Sequence, residues 1–205
     1  MTATPILYHA VPSRSSVVRW MLEEIGQPYE IMPLDLKRGD QNTTEFRALN
    51  PMGKVPVLRH GATVISESAA ICLYLAEAFP AAGLNVDTHD ARRGAFLKWM
   101  FFGPSCIEPT LMDRAFPRME TPPTSAVGYG DAERVFDVIC GGLENGPWLF
   151  GEQFTAADVV IGSGLRWGSL FNLVPQRPEI VAYVERLNER PALQRATALD
   201  QPPSA

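Results

Sequence analysis

The chain has 205 residues, 46% of them hydrophobic and 20% charged, the profile of a water-soluble globular protein long enough for one large or two small domains. Eighteen Lys and Arg against 23 Asp and Glu give a formal charge of -5, which excludes the basic surface of a nucleic-acid binder and offers nothing to an anionic membrane. Residues 1–6 lack the basic start and apolar core of a signal peptide, and no apolar run reaches the roughly 20 residues of a membrane helix. Cys72, Cys106 and Cys140 are far apart and odd in number, so they read as reduced core residues of a cytoplasmic protein. His9, His60 and His89 have no partners at metal-ligand spacing, and no metal is expected.

In chain order, residues 6–8 form a short apolar strand, and Val11-Pro12-Ser13-Arg14-Ser15-Ser16 is a loop rich in helix-starting residues. Val18, Met21, Leu22 and Ile25 recur at i, i+3, i+4 and i+7, an amphipathic helix capped by Gly26 with Pro28 just beyond. Residues 29–34 give the next strand, and 40–42 open a short helical segment through Phe46 and Leu49. Segments 55–58 and 63–65 flank a polar turn at Gly61, which is a hairpin signal. The helix after it can be capped by Ser66, carries Glu67 near its positive end, and is closed by Pro80 and Gly83. Between 69 and 79 its apolar residues occupy almost the whole circumference, so it is covered on two sides. A strand-helix-strand unit predicts a parallel pair with a right-handed crossover, to which the hairpin adds antiparallel strands.

Residues 81–89 read as a linker, and after it the chain reads as helices only. The first covers 88–102 and a second begins near Ser105 and includes Leu111; 117–130, rich in Pro, Gly, Ser and Thr, is a long loop. A helix over 131–143 stops at Gly146-Pro147, and Thr155-Ala156-Ala157-Asp158 has the spacing of a capping box. The helix it opens holds Gly162, Gly164 and Gly168, whose propensity cost implies a closely packed neighbour. Pro178 starts the next helix, a last one covers 192–199, and 201–205 is frayed.

Pro56 inside a strand-like run can donate no ladder hydrogen bond, so Val55 lies at an edge or bend, or before a cis bond. The pattern fits a capped hairpin-to-helix turn with Glu67 serving the helix dipole; it fits a binding site as well. Asn50-Pro51-x-Gly53-Lys54-Val55-Pro56 followed by Glu67-Ser68-x-Ala70-Ile71 resembles the glutathione-binding half of the glutathione S-transferase family. The resemblance implies an α/β thioredoxin-like domain (βαβαββα) over 1–80, a linker over 81–89 and an all-α domain over 90–205 that contributes the electrophile pocket. It implies glutathione as co-substrate, a cis-proline at Pro56 after the residue, Val55, whose backbone pairs with the cysteinyl part, and Glu67 with Ser68 on the γ-glutamyl end. The chemistry agrees, because an ammonium and a carboxylate together need an acid beside a hydroxyl and free helix N–H groups. Lys54 and Gln41 are the candidates for the glycyl carboxylate.

A glutathione thiol must be ionised to attack, and a helix N-terminus plus a hydroxyl donor favours the thiolate. The loop after the first strand holds Ser13, Ser15 and Ser16 and no cysteine, which argues against a protein-thiol mechanism. Pro12-Ser13-Arg14-Ser15 resembles serine-type bacterial and fungal members, and Ser13 is chosen as the donor, with Ser15 or Ser16 the alternatives and simple helix capping the other reading. The electrophile is expected to be small and apolar, held by the helical domain, with Phe102, Met112 and 117–130 as candidates. The resemblance also implies a two-fold homodimer and a transferase activity; a glutathione-dependent isomerase, dehalogenase or peroxidase, or a non-catalytic binding module, stands as the alternative.

Overall fold

A computed structural model describes residues 3–120 and 122–201. The expectations for 1–6, 117–130 and 201–205 therefore fall partly on residues outside this range, namely 1–2, 121 and 202–205. Contacts divide the chain into one unit within Met1–Ala82 and Arg190–Ala205 and a second within Gly83–Glu189.

The first unit is built on four strands: β1 (Ile6–His9), β2 (Glu30–Pro33), β3 (Val57–His60) and β4 (Thr63–Ser66). They form one mixed sheet in the order β2-β1-β3-β4. β1 and β2 are parallel, as the crossover through α1 (Ser15–Ile25) requires, and β3 pairs antiparallel with both β1 and β4. Leu7, Val57 and Leu58 are buried completely, as are Val18 and Met21 from α1 and Ile71 and Leu75 from α3 (Ser68–Ala78). Gly26 ends α1 in the left-handed conformation, its N–H donating to the Leu22 carbonyl, as the sequence predicts. A 3-10 turn (Asp40–Asn42) leads into α2 (Thr44–Leu49), capped by the Thr43 hydroxyl, which accepts from the Phe46 N–H.

Two local readings are corrected. Ser66 does not cap α3: it pairs with Val57 as the last residue of β4, and the helix starts two residues later behind Glu67. The strand expected over 55–58 opens only at Val57, because Pro56 has no N–H to give the ladder; the Val55–Pro56 bond is cis. A second cis bond, Val11–Pro12, was not foreseen.

The second unit holds α4 (Arg93–Phe102), α5 (Glu108–Ala115), α6 (Ala132–Leu143), α7 (Ala156–Leu170) and α8 (Pro178–Asn188). α4 starts at Arg93 and not at 88 because Asp87 and Asp90 turn the preceding backbone, their carboxylates accepting from the His89 and Arg92 N–H groups at 2.8 Å. The helix expected from Ser105 is a π-helical turn, Gly103–Ile107, that joins α4 to α5 without a break. The capping box forms as read: the Asp158 carboxylate accepts from the Thr155 N–H at 2.9 Å, and its other oxygen from the Leu149 N–H and the Tyr183 hydroxyl, both at 3.0 Å. Close packing at the glycines of α7 also holds, since a Cβ on Gly162 would lie 2.4 Å from Leu187 and one on Gly168 2.7 Å from Val174. Phe102 is half-buried with its ring edge-on to Trp99, and Met112 is half-buried on α5.

The closing helix, α9 (Pro191–Leu199), groups with the first unit, whereas the sequence division placed it in 90–205. Its anchors explain this: Arg190 makes two 2.7 Å bonds to the Glu24 carboxylate, Arg195 bonds Glu23 at 2.9 Å, and Arg19 reaches the Leu199 carbonyl at 2.9 Å. No described helix is long and apolar enough to cross a membrane.

Candidate functional site

The strand register gathers the candidate residues at one end of the sheet. Tyr8 near the C-terminal end of β1 pairs with Val57 at the start of β3, and Val57 pairs with Ser66 at the end of β4. Three loops therefore meet there: 10–14 leaving β1, Val55–Pro56 entering β3, and Glu67–Ser68 leaving β4. His9 pairs with Pro33, which brings the segment after β2, with Gln41, to the same end.

Glu67 is exposed with φ 71° and ψ 117°, a conformation that non-glycine residues rarely adopt and that marks a position held by its surroundings. It precedes α3 without making a side-chain cap, so its carboxylate does not satisfy the first-turn N–H groups, which begin at the half-buried Ser68. Val55 is half-buried and outside the β3 ladder, and Pro56 is buried behind it. The loop before them is closed by Asn50, buried and bonded to the Lys54 carbonyl at 2.8 Å and the Met52 N–H at 3.1 Å. Lys54 itself is exposed. Gly53 has φ 62° and lies so near Gln41 that a Cβ would be 3.0 Å from its carbonyl, which joins the Gln41 and Lys54 segments. The Gln41 amide donates to the Leu36 carbonyl at 3.3 Å, and its buried Oε1 has no partner.

The three serines separate by environment. Ser15 is fully buried, its Oγ within 2.7 Å of both Ser13 Oγ and His9 Nδ1 and accepting from the Ala10 N–H at 3.1 Å. The Ser16 hydroxyl donates to the Asp200 carboxylate. Ser13 is half-buried, donates to the Ala10 carbonyl at 2.7 Å, and accepts from the Ser15 N–H at 3.1 Å. Of the three, Ser13 is thus the one at the surface end of a hydrogen-bonded chain.

Sequence reasoning missed the inner part of that chain. His9 is buried, and its Nε2 lies 3.0 Å from Asp200, which also takes bonds from Arg19 and Ser16. Burial would raise the Asp200 carboxyl, but the bonds from His9, Ser16 and Arg19 outweigh it and hold it below the usual carboxylate range. The only advance signal was a polar His at an inward-facing position of β1. Cys72 is fully buried, and that burial pushes its thiol up and away from reactivity. Among the described residues no three His, Cys, Asp or Glu side chains cluster as metal ligands. A hollow of about 410 Å³ opens between Tyr8, Met32, Leu34, Phe46 and Leu49, with Asp40, Thr43 and Glu45 also in its wall, and its lining includes none of the candidate residues.

Comparison with known proteins bears on the family. Residues 3–77 match the family model described as glutathione S-transferase, N-terminal domain, and residues 123–191 that of its C-terminal domain. The chain is 30% identical to glutathione S-transferase 3 of Zea mays, covering 98% of each, and 30% identical to the disulfide-bond oxidoreductase YfcG of Escherichia coli K12, covering 93% of each. A solved glutathione transferase from Methylococcus capsulatus str. Bath superposes with a TM-score of 0.80 at 29% identity, over 96% of this chain and 98% of that one. With both domain models matched and a relative covered end to end, the chain belongs to the glutathione S-transferase family.

Proposed function

We propose that the sheet end bounded by Ser13, Val55 and Glu67 binds glutathione, and that its thiolate is conjugated there to a small apolar electrophile. The observation that carries this is the meeting of the three loops with an acid, Glu67, at the uncapped start of α3. In this reading Glu67 takes the γ-glutamyl ammonium while Ser68 and the first-turn N–H groups of α3 take the adjacent carboxylate. The free backbone of Val55 pairs with the cysteinyl residue, and Lys54 with Gln41 receives the glycyl carboxylate. The sulfur then faces Ser13, whose hydroxyl donates to the thiolate and stabilises it against reprotonation. Ser15 is fully buried and Ser16 is turned to the Asp200 carboxylate, which supports the half-buried Ser13 over either. The protein would act as a cytoplasmic homodimer, as the family implies.

The test is turnover of chlorodinitrobenzene by wild type and Ser13→Ala. Without that donor the bound thiol is less ionised at neutral pH, and a thiol pKa higher by about one to two lowers kcat by roughly 10- to 100-fold. The KM for glutathione, set by its two charged ends, is expected to stay nearly constant. Equal rates in the two proteins would reject Ser13.

A second reading, glutathione-dependent disulfide reduction, is favoured by the name of the Escherichia coli relative. The loop after β1 contains no cysteine, so the electrons would come from two glutathione thiols, each oxidised to one half of glutathione disulfide. Reduction of hydroxyethyl disulfide without conjugation would select this reading, and failure of both assays over a broad electrophile panel would favour a binding module.

A further inference from the structure

Ser13, Ser15, His9 and Asp200 form one unbroken line of hydrogen bonds, of 2.7, 2.7 and 3.0 Å, from the half-buried loop to the end of α9. Resting on the assignment of Ser13 as the group that meets the sulfur, we propose that this line is a proton relay. His9, the last member before Asp200, is the internal acceptor for the proton of the glutathione thiol.

The direction of the chain follows from the donor inventory. An ionised carboxylate only accepts, so His9 Nε2 carries the hydrogen that faces Asp200. In the neutral ring Nδ1 is then an acceptor, and the single proton of Ser15 goes to it at 2.7 Å in preference to the Ala10 carbonyl at 3.1 Å. Ser15 Oγ, already accepting from the Ala10 N–H, is thereby an acceptor toward Ser13 as well. Ser13 has two inward acceptors at 2.7 Å, the Ala10 carbonyl and Ser15 Oγ; the relay uses its hydroxyl turned from the carbonyl to Ser15, and in either orientation a lone pair is left for an incoming S–H.

Ionisation shifts three protons by one place. The thiol proton passes to Ser13 Oγ, the Ser13 proton to Ser15 Oγ, and the Ser15 proton to His9 Nδ1. No hydroxyl gains or loses a proton in total. At the end the thiolate accepts from Ser13, the imidazolium donates from Nδ1 to Ser15 and from Nε2 to Asp200, and no solvent molecule is used. The charged groups facing His9 are Asp200, from the end of α9, and Arg19 of α1, which is bound to the same carboxylate along with Ser16. Asp200 is a positioning residue in this scheme: it fixes which ring nitrogen faces the serines and stays close to the charge that arrives.

The relay predicts that thiolate forms without release of a proton to solvent. Two signals are read when glutathione is added to the full chain in weak buffer: the ultraviolet absorbance of the thiolate, and proton release reported by an indicator dye. In wild type the protons released per thiolate formed are expected to be close to zero. In His9→Asn, whose amide accepts a bond but holds no proton, the ratio rises to one and less thiolate forms. In Asp200→Asn the ratio takes an intermediate value. A wild-type ratio of one overturns the relay whether or not the variants fold, and so does a ratio unchanged by His9→Asn. If Ser13→Ala leaves the thiolate absorbance intact, or wild type forms no thiolate, the assignment of Ser13 falls and the relay with it. Loss of the absorbance in Ser13→Ala with a wild-type ratio of one keeps Ser13 and removes only the relay.

Discussion

Glu67 offers a substitution in which stability and binding should move in opposite directions. Its φ of 71° and ψ of 117° lie where a side chain crowds its own backbone, and such conformations cost of order 1–3 kcal/mol. Glycine adopts this conformation without that cost but loses about 0.5–1 kcal/mol through the greater freedom of the unfolded chain. Glu67→Gly is therefore expected to be neutral or more stable by up to roughly 2.5 kcal/mol, read as a higher urea midpoint with unchanged slope. The same change removes the carboxylate assigned to the γ-glutamyl ammonium. Hydrogen bonds to charged groups contribute about 1.5–3 kcal/mol, which corresponds to roughly a 10- to 150-fold weaker Kd for glutathione by calorimetric titration. Glu67→Gln separates the two effects, because it keeps the strained backbone and removes only the charge: affinity falls while the midpoint stays. If Glu67→Gly lost stability and kept wild-type affinity, Glu67 would be a structural residue and the site would be misassigned.

Two further outcomes follow from the packing and the charges. Asp200 is held below its ordinary pKa in the folded protein, so its contribution to stability is full above the usual carboxylate range and is lost as pH falls through and below it. The stability difference between wild type and Asp200→Asn, about 1.5–3 kcal/mol near neutrality for bonds to a charged group, should thus shrink in urea melts taken at successively lower pH. In the helical unit a Cβ on Gly142 would lie 2.4 Å from the Trp99 ring, which cannot rotate away as a flexible chain end would. Gly142→Ala is expected to cost about 1–3 kcal/mol by overpacking, and a thermal melt unchanged from wild type would show that α4 and α6 can separate at no cost.

How far the site could be read in advance depended on what each residue needed from its neighbours. The hairpin, the turn before it and the start of α3 are local, so Val55, Pro56, Glu67 and Ser68 stand in the chain nearly as they stand in the structure. Even there the helix cap was misplaced, because Ser66 satisfies every local rule for a cap and only its pairing with Val57 removes it. The amphipathic face of α1 and the capping box of α7 were legible for the same reason of locality. The His9–Asp200 pair was not, since 191 residues separate the two and no periodicity links them. For α9, the helix is legible in the sequence but not the unit that it joins. The answer lay in Arg190 and Arg195 finding Glu24 and Glu23, an encounter between charges 166 and 172 residues apart.

That long-range closure changes what the last turn of the chain does. Asp200 bonds to Arg19 and Ser16 of α1 and to His9 of β1, so one carboxylate joins the C-terminal end of α9 to the first helix and to the strand that leads into the serine loop. Docking α9 by packing and the arginine pairs alone would leave His9, buried at 4% exposure, with an unbonded ring nitrogen, a penalty of about 1–3 kcal/mol in the interior. Placing an acid there satisfies that nitrogen and sets the ring so that its other nitrogen meets Ser15. The ring orientation that meets the serine loop is therefore set by a residue almost the whole chain away. An apolar replacement of the pair, His9→Leu with Asp200→Leu, separates the two roles: a folded protein that still forms glutathione thiolate to the wild-type extent would show that the buried line serves the fold alone.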